Sequence, residues 1–248
     1  MSTLLSVETL TRRFGGLVAV NAVSLDLRRG EVHAVIGTNG AGKSTLINML
    51  SGEIDASDGR ITLDGTDVTK RAQFRRALAG VGRSYQRTTI FPEFTVLENC
   101  RLAAQAATPR PWAIWQASTQ CATSNAAARE ALEAAGLTAV AERVAGTLSH
   151  GAKRQLEVAM CLATNPRVLL LDEPLAGMGA EETERMLGLL ASLKASHAIL
   201  LVEHDMDAVF RIADRITVMV NGTVIATGDP ASIRQNPEVR TAYLGEDH

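Results

Sequence analysis

A chain of 248 residues, 46% of them apolar, has room for one large domain with a substantial core. Its formal net charge of −2 gives no bulk argument for a nucleic acid partner, and no apolar run approaches the ~18 residues of a membrane span. Arg12 and Arg13 follow the first apolar stretch instead of preceding it, so no export leader is expected, and Cys100, Cys121 and Cys161 lack metal-site spacing and read as buried thiols in a reducing compartment.

The N-terminal region up to Ile36 reads as strands, with Val23 to Leu27 alternating apolar and polar and Glu31 to Ile36 continuously apolar enough to be buried. The run Gly37, Thr38, Asn39, Gly40, Ala41, Gly42, Lys43, Ser44 then fits G-x-x-x-x-G-K-[ST], and Lys43 to Leu50 reads as the start of a helix. That strand–loop–helix context separates a phosphate-binding loop from a glycine-rich turn without a ligand. Gly37, Gly40 and Gly42 can adopt backbone angles closed to other residues, so that successive N–H groups cradle phosphate oxygens. The helix N-terminus behind them adds partial positive charge. Lys43 is expected to reach the β- and γ-phosphates and the Ser44 hydroxyl to ligate Mg²⁺, which makes Gly37 to Thr45 the nucleotide-binding stretch.

Asp58-Gly59 and Asp64-Gly65 bracket Arg60 to Leu63 and indicate further antiparallel hairpin structure. After Tyr85-Gln86 the character changes. Val96 to Thr147 is alanine-rich and has helical stretches such as Asn125 to Ala135, interrupted at Pro109, Pro111, Trp112 and Trp115 by a loop with an apolar tip. Strand–helix alternation resumes at Val168 to Leu171, a buried strand that ends in Asp172 and Glu173. Ligands of open α/β sheets bind at the carboxyl ends of strands. Asp172 therefore suits a Mg²⁺ contact, directly or through water, and Glu173 could polarise a water for in-line attack. The plainer alternative is a solvated acidic strand end. Met186, Leu189, Leu190 and Leu193 share one helical face, Ala198 to Val202 is a strand, and Met206, Val209, Phe210 and Ala213 form another stripe. Asn221-Gly222 marks a hairpin. The pattern is an α/β core with a helical insertion at roughly 87–160.

Leu148, Ser149, His150, Gly151 and Ala152 open an apolar helix, Gln155 to Ala163, and look like the signature segment of ABC-type ATPases, commonly L-S-G-G-Q. Gln86 stands where that family has its Q-loop, His204 follows a strand as its switch histidine does, and Phe14 resembles the aromatic that stacks on adenine. Singly, Ser149 could be a helix cap, His204 a structural residue and Phe14 an apolar anchor; their shared order and spacing carry the resemblance, from Leu4 to Leu244. His33, His197 and His248 have no comparable context. The resemblance implies a P-loop NTPase core of ABC ATPase type over 1–248, with an N-terminal antiparallel β region, the helical subdomain at about 87–160, and a C-terminal hairpin and helix at 215–248. It further implies ATP and Mg²⁺ as cofactors and a split site. Ser149 and Gly151 would bind the γ-phosphate held by a second subunit, in a head-to-tail homo- or heterodimer. His204 would hold the γ-phosphate or the attacking water, and Gln86 would contact Mg²⁺ or that water and report to the insertion.

Departures from the pattern are Thr38 for proline, His150 and Ala152 for glycine and glutamine, Met160 for an arginine, and Leu175 to Gly179 without the usual Asp or Asn. Lys43, Ser44, Asp172, Glu173 and His204 are all present, so an active ATPase is expected. Phe14 to Val20, Phe91 to Asn99, Ala176 to Met178, Glu203 to Met206, Asn236 to Val239 and Ala242 to Gly245 together resemble the ATP-binding subunit of bacterial branched-chain amino acid importers. The ATPases of urea and amide uptake and of lipopolysaccharide export are similar. A soluble ABC ATPase would be expected to carry two cassettes or a long coiled coil, and a GTPase an Asn-Lys-x-Asp segment, and this chain has none of these. The partners implied are permease subunits in the inner membrane, a second ATPase subunit and, indirectly, a periplasmic solute-binding protein, without nucleic acid. The chain would then lie at the cytoplasmic face of the inner membrane, peripheral through the permease. The helical insertion is the expected docking surface, with Trp112 and Trp115 either exposed on it or packed in its core.

Overall fold

The computed structural model describes residues 2–86, 88–107 and 121–244; Pro109, Pro111, Trp112 and Trp115 lie outside the described residues. The N-terminal alternation forms a hairpin of β1 (Thr3–Phe14) and β2 (Leu17–Arg28). Val23, Leu25 and Leu27 point into the core while Ser24 faces solvent, as a half-buried strand requires. The chain then runs through β3 (Glu31–Gly37), α1 (Lys43–Ser51), β4 (Asp58–Leu63) and β5 (Thr66–Asp67). β4 and β5 extend the hairpin into a four-stranded antiparallel sheet of order β2-β1-β4-β5. Asp64 and Gly65, with φ of 49° and 73°, make the left-handed two-residue turn between them.

The second sheet has six strands in the order β10-β9-β3-β8-β7-β6. After α2 (Gln73–Leu78) come β6 (Val81–Arg83), β7 (Val168–Asp172), β8 (Ala198–Val202), β9 (Arg215–Val220) and β10 (Thr223–Gly228). All neighbours are parallel except β9 and β10, which Asn221-Gly222 joins with φ of 48° and 81°. β3, β7 and β8 are buried at every residue, the mark of parallel strands covered on both faces. Alternate residues of β7 serve different layers: Leu169 and Leu171 meet helices on one side, and Val168 and Leu170 meet α1 and the antiparallel sheet on the other. Each such leucine contributes about 2–3 kcal/mol of burial.

α3 (Val96–Ala107), α4 (Ala122–Ala134) and α5 (His150–Ala163) pack on one another in the insertion; α5 continues past the expected limit at 160 and docks under the sheet. α6 (Ala180–Lys194) and α7 (Met206–Ile212) cover the sheet beside them. The single helix expected after the C-terminal hairpin is instead α8 (Pro230–Gln235), α9 (Pro237–Val239) and a π-helical turn over Arg240–Leu244. Pro237 is the reason: its ring cannot continue α8, and Asn236 caps the restart by accepting the N–H groups of Glu238 and Val239.

Two buried polar groups fix the layers. Arg76 donates to the carbonyls of Met49 (2.6 Å), Leu50 (3.0 Å), Thr69 (2.8 Å) and Arg71 (2.9 Å), and so closes the C-terminus of α1. His33 on β3 lies between the two sheets. Its Nδ1 donates to the carbonyl of Asp26 at 3.0 Å, which leaves Nε2 to accept from the Thr217 hydroxyl at 2.8 Å. Burial, reinforced by Arg215, pushes this imidazole down to about 4 from its usual 6.5. Between those values the unfolded chain binds the extra proton, so the stabilisation from neutral His33 is complete above pH 6.5 and is lost as pH falls towards 4. At about 1.4 kcal/mol per pH unit the loss amounts to roughly 3 kcal/mol. Urea denaturation of the wild type and His33→Gln across this range should show the acid-dependent loss shrinking by about that amount in the variant; identical pH profiles would mean that His33 does not titrate in this way.

Candidate functional site

The phosphate-type loop leaves β3 at the centre of the sheet and is pinned to the backbone on both sides. A Cβ on Gly42 would fall 2.3 Å from the Ala19 carbonyl oxygen on β2, and one on Gly37 would fall 2.2 Å from that of Met219 on β9. Gly40 and Gly42 have the left-handed φ values, 79° and 95°, expected of such a loop. Gly37 does not. Its glycine is required by the close approach of Met219, not by a special backbone angle, which corrects the expectation from the sequence. Thr38 is half-buried, Asn39 and Gly40 are exposed, and buried Ala41 accepts the N–H of Gly222 at 3.1 Å. Ser44 is exposed and Thr45 half-buried in the first turn of α1. Lys43 is buried, and its ammonium donates to the carbonyls of Gly37 (2.6 Å) and Thr38 (3.0 Å). Burial pushes it down, opposed by Glu173 and Asp172.

The parallel register brings the other groups to the same edge. Val35 is level with Val202, Val202 with Asp172, and Leu170 with Arg83. Asp172 follows Val168 and Leu170 at the strand period, so it faces the α1 layer and Lys43. It is buried, and its Oδ1 has no hydrogen-bond partner. Burial pushes its carboxyl up, with Arg83 and Lys43 opposing and Glu173 adding to the push. Among the described residues no group of three or more His, Cys, Asp or Glu is gathered to hold a metal. One buried, unmatched carboxylate oxygen near a phosphate loop nevertheless fits Mg²⁺, which takes one or two carboxylates and draws its remaining ligands from phosphate and water. Glu173 has φ of 49°, a left-handed conformation that turns its side chain off the strand direction. Its Oε2 accepts from Gln86 Nε2 at 3.1 Å. His204, with its side chain 60% exposed, stands at the end of β8, its backbone N–H on Glu203 Oε2 at 3.1 Å.

Ser149 and Gly151 form a second corner, against the N-terminus of α6. Ser149 caps α5 by accepting the Ala152 N–H at 3.2 Å, and its hydroxyl donates to Glu182 Oε1 at 2.8 Å. The Glu182 carboxyl is held below the usual carboxylate value, chiefly by the Ser149 hydroxyl, with the backbone of Gly179 and Gly151 adding to the effect. A Cβ on Gly151 would lie 2.3 Å from the Glu182 carboxyl carbon. Thus the corner binds an anion, and the anion is this carboxylate. His150 Nε2 donates to the Ala176 carbonyl at 3.0 Å, which gives this departure from the signature pattern a contact with the loop after Glu173. Phe14 is exposed at the tip of the first hairpin, paired across the strands with exposed Leu17 and covered on one face by Arg12 at 4.5 Å.

Several residues joined to the site escape a motif reading. Arg83 donates to Ser51 Oγ and Glu53 Oε2, both at 2.6 Å, lies 3.9 Å from Asp172 Oδ2 and stacks on Tyr85. Glu203, fully buried, accepts the Leu175 N–H at 2.8 Å and so ties the turn after Glu173 to His204. Arg154 and Glu157 hold the segment around Gln86. The one available signal was a charged residue inside an otherwise apolar strand or helix face, which does not by itself say what it meets. Of the cysteines, Cys100 and Cys161 are buried with thiols pushed up to about 12, while Cys121 is only half-buried, at the start of α4.

Residues 20–176 match the family model described as ABC transporter, and residues 223–248 match that described as branched-chain amino acid ATP-binding cassette transporter. The chain is 41% identical to the high-affinity branched-chain amino acid transport ATP-binding protein BraF of Pseudomonas aeruginosa, over 98% of each chain. It is 43% identical to the corresponding protein LivG of Salmonella typhimurium, again over 98% of each. Among solved structures it resembles the ADP conformation of an ATP-binding cassette of an ABC transporter, with a TM-score of 0.86 and 30% identity over 99% of this chain and 100% of that one.

The two kinds of glycine constraint should separate on substitution. Gly42→Ala meets both the Ala19 carbonyl and a φ of 95°, whereas Gly40→Ala has open space and only a φ of 79° to tolerate. Titration with a fluorescent ATP analogue should show at least a tenfold loss of affinity for Gly42→Ala, about 1.4 kcal/mol or more, and a smaller loss for Gly40→Ala. Equal losses would leave the Ala19 contact without a role.

Proposed function

The chain belongs to the ABC transporter family, among the ATP-binding subunits of branched-chain amino acid type, and from that premise we propose that it binds ATP with Mg²⁺ and hydrolyses it to power branched-chain amino acid uptake. The observation that carries the reading is the meeting of Lys43, Asp172, Glu173 and Gln86 at one sheet edge beside the glycine loop.

The loop N–H groups and the start of α1 receive the phosphates. Lys43 gives two protons to loop carbonyls and has a third for the β- and γ-phosphates. Gln86 occupies Oε2 of Glu173, which leaves Oε1 for a water. Glu173 takes the proton as the water oxygen attacks the γ-phosphorus, and the bond to the β–γ bridging oxygen breaks with its electron pair departing on ADP. His204 holds the γ-phosphate or the water in line. Asp172, Ser44 and Gln86 would hold Mg²⁺, which when bound neutralises charge on the β- and γ-phosphate oxygens. Phe14, flanked by Leu17, offers a ring face to adenine.

Ser149, Gly151 and the start of α5 serve a γ-phosphate carried by a second subunit, an identical copy or a paralogue, which replaces the Glu182 carboxylate on the same donors. Among the described residues no helix is long and apolar enough to cross a membrane. In this reading, membrane contact runs through a permease, at the cytoplasmic face of the inner membrane, with a periplasmic binding protein delivering the solute. A cleft lined by Ala77, Tyr85, Thr89, Ala103 and Met160 offers the permease apolar surface beside Gln86. The expected docking tryptophans lie outside the described residues.

Glu173→Gln keeps the size and hydrogen bonding of the side chain and removes the base. Turnover should fall roughly 10²–10⁴-fold, with ATP still bound in a trapped dimer seen by size exclusion; wild-type turnover would end this assignment. For the split site, Lys43→Ala should lose ATP binding and Ser149→Arg should keep it while losing hydrolysis. Mixing the two restores at most one complete site per dimer, made from Lys43 of one chain and Ser149 of the other. Partial recovery of ATPase activity on mixing is expected, and full activity of Ser149→Arg alone would reduce Ser149 to a helix cap.

A further inference from the structure

α5 starts at the Ser149 corner and, about a turn and a half later, passes the segment that carries Gln86. Arg154 is 7% exposed and directs its guanidinium at that segment. Nη1 donates to the Tyr85 carbonyl at 2.9 Å, and Nη2 donates to the Gln86 carbonyl at 2.5 Å. Glu157 answers the charge, with Oε2 2.9 Å from Nη1, and its Oε1 accepts the Thr89 N–H at 2.8 Å. Residues 84–86 and 88–90 belong to no helix or strand, so their backbone groups need partners from elsewhere. Two side chains of α5 supply three of these, to the Tyr85 and Gln86 carbonyls and the Thr89 N–H, while the Ser84 N–H goes to the Leu170 carbonyl of β7.

The other end of Gln86 is equally fixed, since Nε2 donates to Glu173 Oε2 at 3.1 Å. A continuous path therefore runs within one chain from Ser149, along α5, through Arg154 and Gln86, to Glu173. Its two ends serve different nucleotides if the site is split as proposed above. A buried ion pair adds little stability over apolar packing, whereas a planar guanidinium donating to two successive carbonyls fixes both their position and their orientation. We propose that Arg154, held by Glu157, is a positioning residue that sets Gln86 against Glu173 and links the water-activating carboxylate of one ATP site to the signature corner of the other. The inference rests on the split-site reading. Movement of α5 on a partner's γ-phosphate is passed to Gln86, and binding at either site biases the other by the same factor.

The test is a double-mutant cycle between Arg154→Lys and Gln86→Ala, in the full chain assembled with its permease. Lysine keeps the charge but cannot donate to both carbonyls and Glu157 in one plane. Arg154→Lys should lower kcat about tenfold through misplacement of Gln86, with little change in KM for ATP or in Tm, and should bring the Hill coefficient for ATP from above unity down to unity. In the Gln86→Ala background it should produce no further loss of kcat. Losses that multiply in the double variant would mean that Arg154 acts independently of Gln86, and would overturn the relay while leaving the split site standing. A Hill coefficient unchanged by Arg154→Lys would overturn the link between sites. Wild-type kcat in Gln86→Ala alone would remove Gln86 from the proposed mechanism and the relay with it. Should Arg154→Lys fail to fold, Glu157→Gln, which keeps Oε1 for Thr89 and removes the charge facing Arg154, goes through the same cycle with the same outcomes.

Discussion

Everything at the site depends on the register of four parallel strands, β3, β8, β7 and β6. Strands running the same way must release the chain at the same edge, so segments far apart in sequence emerge side by side. Val35, Val202 and Asp172 are level across three of them. A slip of one residue in β7 would exchange the faces of Leu171 and Asp172, burying the carboxylate among the helices and presenting leucine to Lys43. The unbroken apolar character of β3, β7 and β8 resists that slip only because different layers wait on each face, α1 and the antiparallel sheet on one side and the long helices on the other.

On that frame the charges are arranged with few left unmatched. Arg83 is met by Glu53, Arg154 by Glu157, and Glu203 by the N–H groups of Leu175 and His204. Among the described residues, Asp172 Oδ1 is the carboxylate oxygen left buried without a partner. An unmatched buried carboxylate is costly, and here it lies beside the loop where a cation would accompany phosphate. The left-handed backbone at Glu173 is a related expense, tolerated where the surrounding strands leave no alternative.

The departures from the family pattern acquire physical meaning in the same way. His150 reaches the Ala176 carbonyl, a contact that glycine could not make. Ala152 still gives its N–H to the Ser149 cap, so the lost amide side chain leaves the helix start intact. Thr38 uses its carbonyl, for Lys43 and for the Ala41 N–H, and a proline offers the same acceptor. Met160 makes one wall of the cleft beside Gln86 apolar.

The sequence by itself determined most of the elements. The glycine–lysine loop between strand and helix, the apolar run ending in Asp172 and Glu173, the Asn221-Gly222 turn and the alternation in β2 are local patterns, and each is imposed by backbone geometry or by a strand's two faces. It could not show why Gly37 is glycine, because the carbonyl that excludes a side chain belongs to Met219, distant in the chain. Nor could it show that Arg154 grips the Gln86 segment, or that Glu182 fills the Ser149 corner, since one charged residue on a helix looks like another until its neighbours are known. β6 was too short to signal itself, and Pro237 divided a helix that the pattern ran together. Periodicity records which way a side chain points; only packing decides what it meets, because the partner lies on another element and long-range contacts leave no mark on local spacing.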